Sequence, residues 1–246
     1  MIFHKKFGPE NKKIVIGIHG WGGTHNTFLP IEKNLNGEFM MINFDLPGYG
    51  QSSKPSNWEI SEIIDSLADE ITRLTNKKVD IIGNCSGALI SILLSKSKKI
   101  NVENLLLIDP FSKAPWYFKI FTNKFIGDYA YSTTFQNPLG RVFTNFSLKG
   151  KRKEETDMTS SFKNIDKETS LSYLRMLVEL EGTNVMEDIK CAPIIINGEN
   201  TFKAALRSLD YYSSIWKNLK SVIIPDTGHL PIEESPEKII KLIEKA

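Results

Sequence analysis

Cysteine and histidine are scarce in this chain, with two of the first and four of the second among 246 residues. Long apolar runs are missing altogether. A secretory leader needs an apolar core of about 7–15 residues, and Met1-Ile2-Phe3-His4-Lys5-Lys6 begins none. A bilayer span needs roughly 18 apolar residues in a row, and no segment has them. Cys85 and Cys191 lack the spacing of a disulfide framework, so Cys85 is expected as a free thiol. An excess of one charge is lacking too. The formal net charge is +2, no basic stripe interleaved with aromatics occurs, and Lys149 to Lys153 reads as solvated surface. These absences exclude a disulfide scaffold, a membrane span and a nucleic-acid partner. The expectation is a soluble, reduced, cytoplasmic protein with no membrane partner, no metal and no cofactor.

What is present is an alternation. Short apolar runs at 14–18, 38–44, 78–82, 103–108, 193–197 and 220–224 have the length and continuity of strands buried on both faces. Ile60, Ile63, Ile64, Leu67, Ile71 and Leu74 fall on one face of a helix. Further helices are expected at 86–97, 203–218 and 236–245. With 41% hydrophobic residues the chain can fill a sizeable core. The alternation predicts an α/β fold with a doubly wound, mostly parallel sheet. The rhythm breaks between 113 and 186. Eleven of the 25 aromatic residues lie between Phe111 and Phe146, and a later helix is expected around Leu171, Leu174, Leu177 and Val178. Residues 1–112 and 187–246 are therefore read as the core, and 113–186 as a helical insertion.

The most informative five residues are Gly83-Asn84-Cys85-Ser86-Gly87, set between the strand ending at Ile82 and an apolar helix. Glycines two positions either side of one residue are the layout of a nucleophile elbow, where small neighbours relieve crowding at a strained turn. Around Ser86 the same positions would be Asn84 and Ala88, so the frame favours Cys85. The plainer alternative is a buried, inert cysteine, the common fate of a free thiol.

Four landmarks in order make the chain resemble the α/β-hydrolase family over most of its length. His19-Gly20-Trp21-Gly22-Gly23 follows the first central strand and is similar to the family's oxyanion loop. Asp45-Leu46-Pro47-Gly48-Tyr49-Gly50-Gln51-Ser52 resembles its turn after the next strand, the elbow comes third, and Gly228-His229 comes last. Only about a dozen residues precede the first central strand, so the antiparallel strands that usually open this fold are expected to be reduced. The resemblance implies that His229 is the general base and His19 is structural. It implies an oxyanion hole made by the backbone N–H groups of Trp21 and Ser86. It also implies that the insertion forms a helical cap, whose aromatics roof an apolar acyl or aryl site or simply glue the cap to the core. The triad acid departs from the family pattern. Where Gly-x-x-Asp is usual, the run is Gly198-Glu199-Asn200-Thr201. Asp109, ending the strand after the elbow as in some relatives, is the first candidate and Glu199 the second; Asp109-Pro110 also suits a mere turn.

A cysteine here predicts thiol chemistry. A helix N-terminus and a nearby imidazolium lower a thiol's pKa into the reactive range. The expected activity is hydrolysis or acyl transfer on a small-molecule ester or thioester, CoA- or carrier-bound acyl groups included, through an acyl-Cys85 intermediate. His-Gly-Trp-Gly resembles carboxylesterases that act on acyl-carrier methyl esters. Two other classes stay open: a binding protein on an eroded hydrolase fold, and a non-hydrolytic enzyme of the same fold.

Overall fold

The computed structural model describes residues 1–181 and 183–246, and in it the apolar runs become strands whose alternate side chains enter two separate cores. A short edge strand β1 (His4–Phe7) precedes β2 (Lys13–Ile18), α1 (Leu29–Asn34), β3 (Phe39–Phe44), α2 (Ile60–Leu74), β4 (Val79–Asn84), α3 (Ser86–Ser95) and β5 (Val102–Ile108). A helical segment follows. It contains α4 (Trp116–Phe121), α5 (Gly127–Tyr131) continued by a π-helical turn over Ser132–Gln136, α6 (Pro138–Ser147) and α7 (Lys167–Glu179). Then come β6 (Ala192–Gly198), α8 (Lys203–Ile215), β7 (Lys220–Ile224), α9 (Pro231–Glu234) and α10 (Pro236–Lys245).

Among the described residues seven strands form one sheet in the order β1-β3-β2-β4-β5-β6-β7. All pairings are parallel except that of β1 with β3. The period of two explains the layering. Ile14, Ile16 and Ile18 of β2 join Leu67, Ile71 and Leu89 in one core. Val15 points the other way, into a second core with Ile31, Ile239 and Ile243. Helices therefore cover both faces, as the doubly wound reading requires.

Winding reverses at β2, which has β3 on one side and β4 on the other. Such a reversal opens a crevice at the carboxyl ends of the strands. The oxyanion-loop motif, the elbow, Asp109 and His229 all leave the sheet at that edge. Among the elements the sequence does not announce are β1 and α1. β1 is only four residues, His-Lys-Lys-Phe, and half exposed, so it carries no apolar run. α1 has a single turn and a half and starts from a proline at its second position.

Candidate active site

The elbow is built by close approach. Cys85 sits between β4 and α3 with φ 53° and ψ −116°, a left-handed conformation that side-chain-bearing residues rarely adopt. Its N–H donates to the Ile108 carbonyl at 2.8 Å, which pins the turn to β5. A Cβ on Gly83 would lie 2.6 Å from the Ala88 Cα, and one on Gly87 would strike the carbonyls of Ile18 and His19. Both flanking glycines are therefore required by the geometry of the turn. Gly20 brings the neighbouring loop equally near, since a Cβ there would stand 3.1 Å from that of Cys85.

His229 follows β7 and reaches the same edge. Its Nδ1 lies 3.0 Å from Asp109 Oδ2. The Thr201 hydroxyl donates to that same Oδ2 at 2.7 Å, and its oxygen is 2.9 Å from Nδ1. Asn197 Nδ2 donates to Asp109 Oδ1 at 2.9 Å. A carboxylate only accepts, so Nδ1 carries the proton and Nε2 is left for Cys85. Burial works against the protonated imidazole, but the Cys85 charge and hydrogen bonds with Asp109 and Cys85 outweigh it. His229 is pushed up to about 10.

Asp109 is fully buried and also has a positive φ, 46°. Glu199, the other candidate acid, is exposed and accepts from the Asp226 N–H at 3.0 Å. Asp109 is the carboxylate in contact with His229. The other histidines are engaged elsewhere. His19 is buried, accepts from the Leu46 N–H at 3.0 Å and sits 2.8 Å from the Gly20 carbonyl. Burial, only partly offset by that contact, pushes it down to about 4. His25 is held on Asp45 at 2.8 Å, and His4 lies 3.2 Å from Glu70.

Of the two amides expected to form an oxyanion hole, that of Trp21 is already engaged. The Trp21 N–H donates to the Ser86 side-chain oxygen at 2.6 Å. Ser86 thus touches the site through its hydroxyl as well as its backbone. The sequence alone carries no signal for that hydroxyl, and in it Thr201 reads only as a missing acid. The register of Gly198-x-x-Thr201 was the available signal, because it places the threonine where an acid would face the histidine.

A cavity of about 490 Å³ opens beside Cys85 and His229. Its apolar wall includes Trp21, Phe118, Phe121, Phe135 and Phe162, while Asn26, Thr27, Ser160 and Glu233 line its polar side. The Trp21 indole is fixed by a hydrogen bond from Nε1 to the Ser170 carbonyl at 3.0 Å. Burial and the Cys85 charge raise the Tyr117 phenol above its ordinary range, so it stays protonated. Asn84 Oδ1, buried beside the thiol, has no hydrogen-bond partner among the described residues. Among the described residues no group of His, Cys, Asp and Glu could hold a metal ion.

A strained residue at a strand-to-helix turn, a histidine backed by a carboxylate, and a loop of amides at the carboxyl edge of a doubly wound sheet define a hydrolase-type site. The profile of the alpha/beta hydrolase fold matches residues 13–236, and the chain belongs to that family. It is 28% identical over 112 residues to a 3-hydroxybutyrate-oligomer hydrolase of Cupriavidus necator, covering 44% of this chain and 38% of that one. It is 25% identical to a pimeloyl-[acyl-carrier protein] methyl ester esterase of Wigglesworthia glossinidia brevipalpis, covering 98% of this chain and 96% of that one. The chain spans well under half the length of the first curated relatives it matches. A solved epoxide hydrolase superposes with a TM-score of 0.80 at 14% identity, covering 99% of this chain and 93% of the other, a likeness of fold.

Proposed function

We propose that the protein hydrolyses or transfers the acyl group of an ester or thioester through an acyl-Cys85 intermediate. The observation that carries this reading is the placement of Cys85, in a strained turn, beside a His229 whose far nitrogen is held by Asp109 and Thr201. The Cys85 thiolate attacks the carbonyl carbon, and the N–H groups of Ser86 and Trp21 hold the resulting oxyanion, the Trp21 N–H exchanging the Ser86 hydroxyl for it. The protonated His229 gives its Nε2 proton to the departing alcohol or thiol as the carbon–heteroatom bond breaks. Water or an acceptor hydroxyl or thiol then gives a proton to His229 and attacks the acyl-thioester, and the thiolate leaves. Residues 113–186 serve as a cap that encloses the acyl group. The relative named as a pimeloyl-[acyl-carrier protein] methyl ester esterase makes carrier-bound acyl esters natural candidates, with soluble esters and thioesters beside them.

The test is intact mass after incubation with a panel of activated esters and acyl-thioesters. An acyl adduct on the native chain, absent from Cys85→Ala, is expected. The pairing of the Trp21 amide with Ser86 favours one other reading, a ligand-binding protein on a hydrolase fold. Retention of acyl compounds with no adduct and no turnover would select that reading instead.

A further inference from the structure

α6 has an apolar stripe, and the stripe faces out. Leu139, Val142, Phe143 and Phe146 follow the i, i+3, i+4, i+7 spacing of one helical face. Each is between 69% and 79% exposed, and no residue of α6 is buried. The opposite side of the same segment, at Thr144 and Leu148, lines the cavity beside Cys85. Four more large side chains are exposed as well: Trp116 of α4, Phe125 and Ile126 in the turn before α5, and Tyr129 of α5, with Phe125 at 94%. Water-exposed apolar residues in such number mark a surface that meets something else.

The charge along this segment is mostly positive, although Glu154, Glu155 and Asp157 follow it directly and Lys119 is paired with Glu181 at 3.0 Å. Residues 111–153 contain eight lysines and arginines against one acid, Asp128, in a chain whose totals are 31 and 29. Asp128 is itself paired with Lys167 at 3.1 Å. Lys124 and Lys149 are exposed and have no ion-pair partner among the described residues. Lys149 falls three positions beyond Phe146, in the helical turn that prolongs α6, and so sits at the end of the stripe.

We propose that this face docks on an anionic lipid surface, with α6 lying in the headgroup plane and Val142, Phe143 and Phe146 inserted below it. Charge complementarity selects the occupant. A second copy would bring two faces of the same positive sign together. The stripe is the convex side of a helix whose cavity lies on the other side, and a lipid surface accepts protruding aromatic side chains without a matching groove. The attachment is peripheral, because no described helix is long and apolar enough to cross a membrane. It does not depend on the acyl-enzyme reading.

The experiment is co-sedimentation with phosphatidylcholine vesicles, with and without phosphatidylglycerol, at low and high salt. The native chain should bind the anionic vesicles, with affinity falling at least about tenfold on neutral vesicles or at high salt. Val142→Ser/Phe143→Ser/Phe146→Ser should lose about tenfold or more on anionic vesicles, with an unchanged melting temperature because all three side chains are exposed. Lys124→Glu/Lys149→Glu should bind more weakly and with a shallower salt dependence. No binding by the native chain, or equal binding by the triple serine variant, overturns the proposal. So does a dimer in light scattering that the serine substitutions dissolve, or capture of an acidic protein by this face without any vesicle binding.

Discussion

The hydroxyl of Thr201 donates to Asp109 Oδ2 at 2.7 Å, joining two residues 92 positions apart. Thr201 occupies the place where the family pattern puts an acid, and here it holds an acid supplied by another strand. The same hydroxyl oxygen also faces His229 Nδ1, so the imidazole proton is shared between carboxylate and hydroxyl.

Thr201→Val should lower kcat/KM about tenfold, the size of one charge-assisted hydrogen bond of about 1.5 kcal/mol. Asp109→Asn should do far more, by about a thousandfold, since the imidazole loses both its orientation and its tautomer. Adding Thr201→Asp to Asp109→Asn should restore part of that loss by returning a carboxylate to His229 from β6. Steady-state kinetics on one ester decide it. A Thr201→Val enzyme as impaired as Asp109→Asn, or no recovery in the double variant, would show that Asp109 does not orient His229.

Much of this site was legible, and the reasons are local. Gly83 and Gly87 announce the elbow because no Cβ fits at either position. The central strands announce themselves as continuous apolar runs, being covered on both faces. His229 could be singled out because so few histidines compete with it. What could not be read depends on contacts distant in sequence. Thr201 looked like a gap, since its value lies in an aspartate on another strand. The Ser86 hydroxyl was overlooked because its partner, the Trp21 amide, is on a different loop. The aromatic density after Phe111 was legible, but not which rings turn inward. Phe118, Phe121, Tyr131 and Phe135 are buried, whereas Trp116, Phe125, Tyr129, Phe143 and Phe146 face out. Helical spacing reveals a stripe without saying which way it points.

The roles of the two elbow neighbours should separate on substitution. Cys85→Ala should abolish the acyl adduct and lower turnover by about a thousandfold or more, as loss of a nucleophile does. Ser86→Ala keeps the backbone N–H and frees the Trp21 amide, so turnover should stay within about tenfold of the native rate. A dead Ser86→Ala enzyme beside an active Cys85→Ala one would move the nucleophile to Ser86.

The His229 proton supplies a pH prediction. Its folded pKa of about 10 lies above the ordinary 6.5. The stabilisation from this group is therefore complete below pH 6.5 and is lost as pH rises through about 10. Imidazole NMR should show a midpoint near the upper value, and leaving-group protonation should persist well into alkaline solution. Removing the charge with Cys85→Ala should bring the midpoint down, because burial then meets less opposition. An ordinary midpoint in the native chain, or one unmoved by Cys85→Ala, would contradict the coupling of His229 to Cys85.

The cavity beside Cys85 carries a substrate prediction. Trp21 stands at its wall with ring centroids 5.2 Å from Phe118, 5.2 Å from Phe135 and 4.7 Å from Phe162. Phe135 and Phe162 stack on one another at 4.4 Å. These rings present apolar surface next to the thiol, and each buried methylene is worth about 0.8 kcal/mol, or about fourfold in kcat/KM. Medium-length acyl or aromatic esters should therefore outcompete acetyl esters, with the gain ending where the chain reaches the far wall. Phe135→Ala should shift that optimum to longer chains by opening the stacked pair, and should leave acetyl turnover nearly unchanged. A profile that is flat, falls with length, or ignores Phe135→Ala would mean that the acyl group does not bind against these rings.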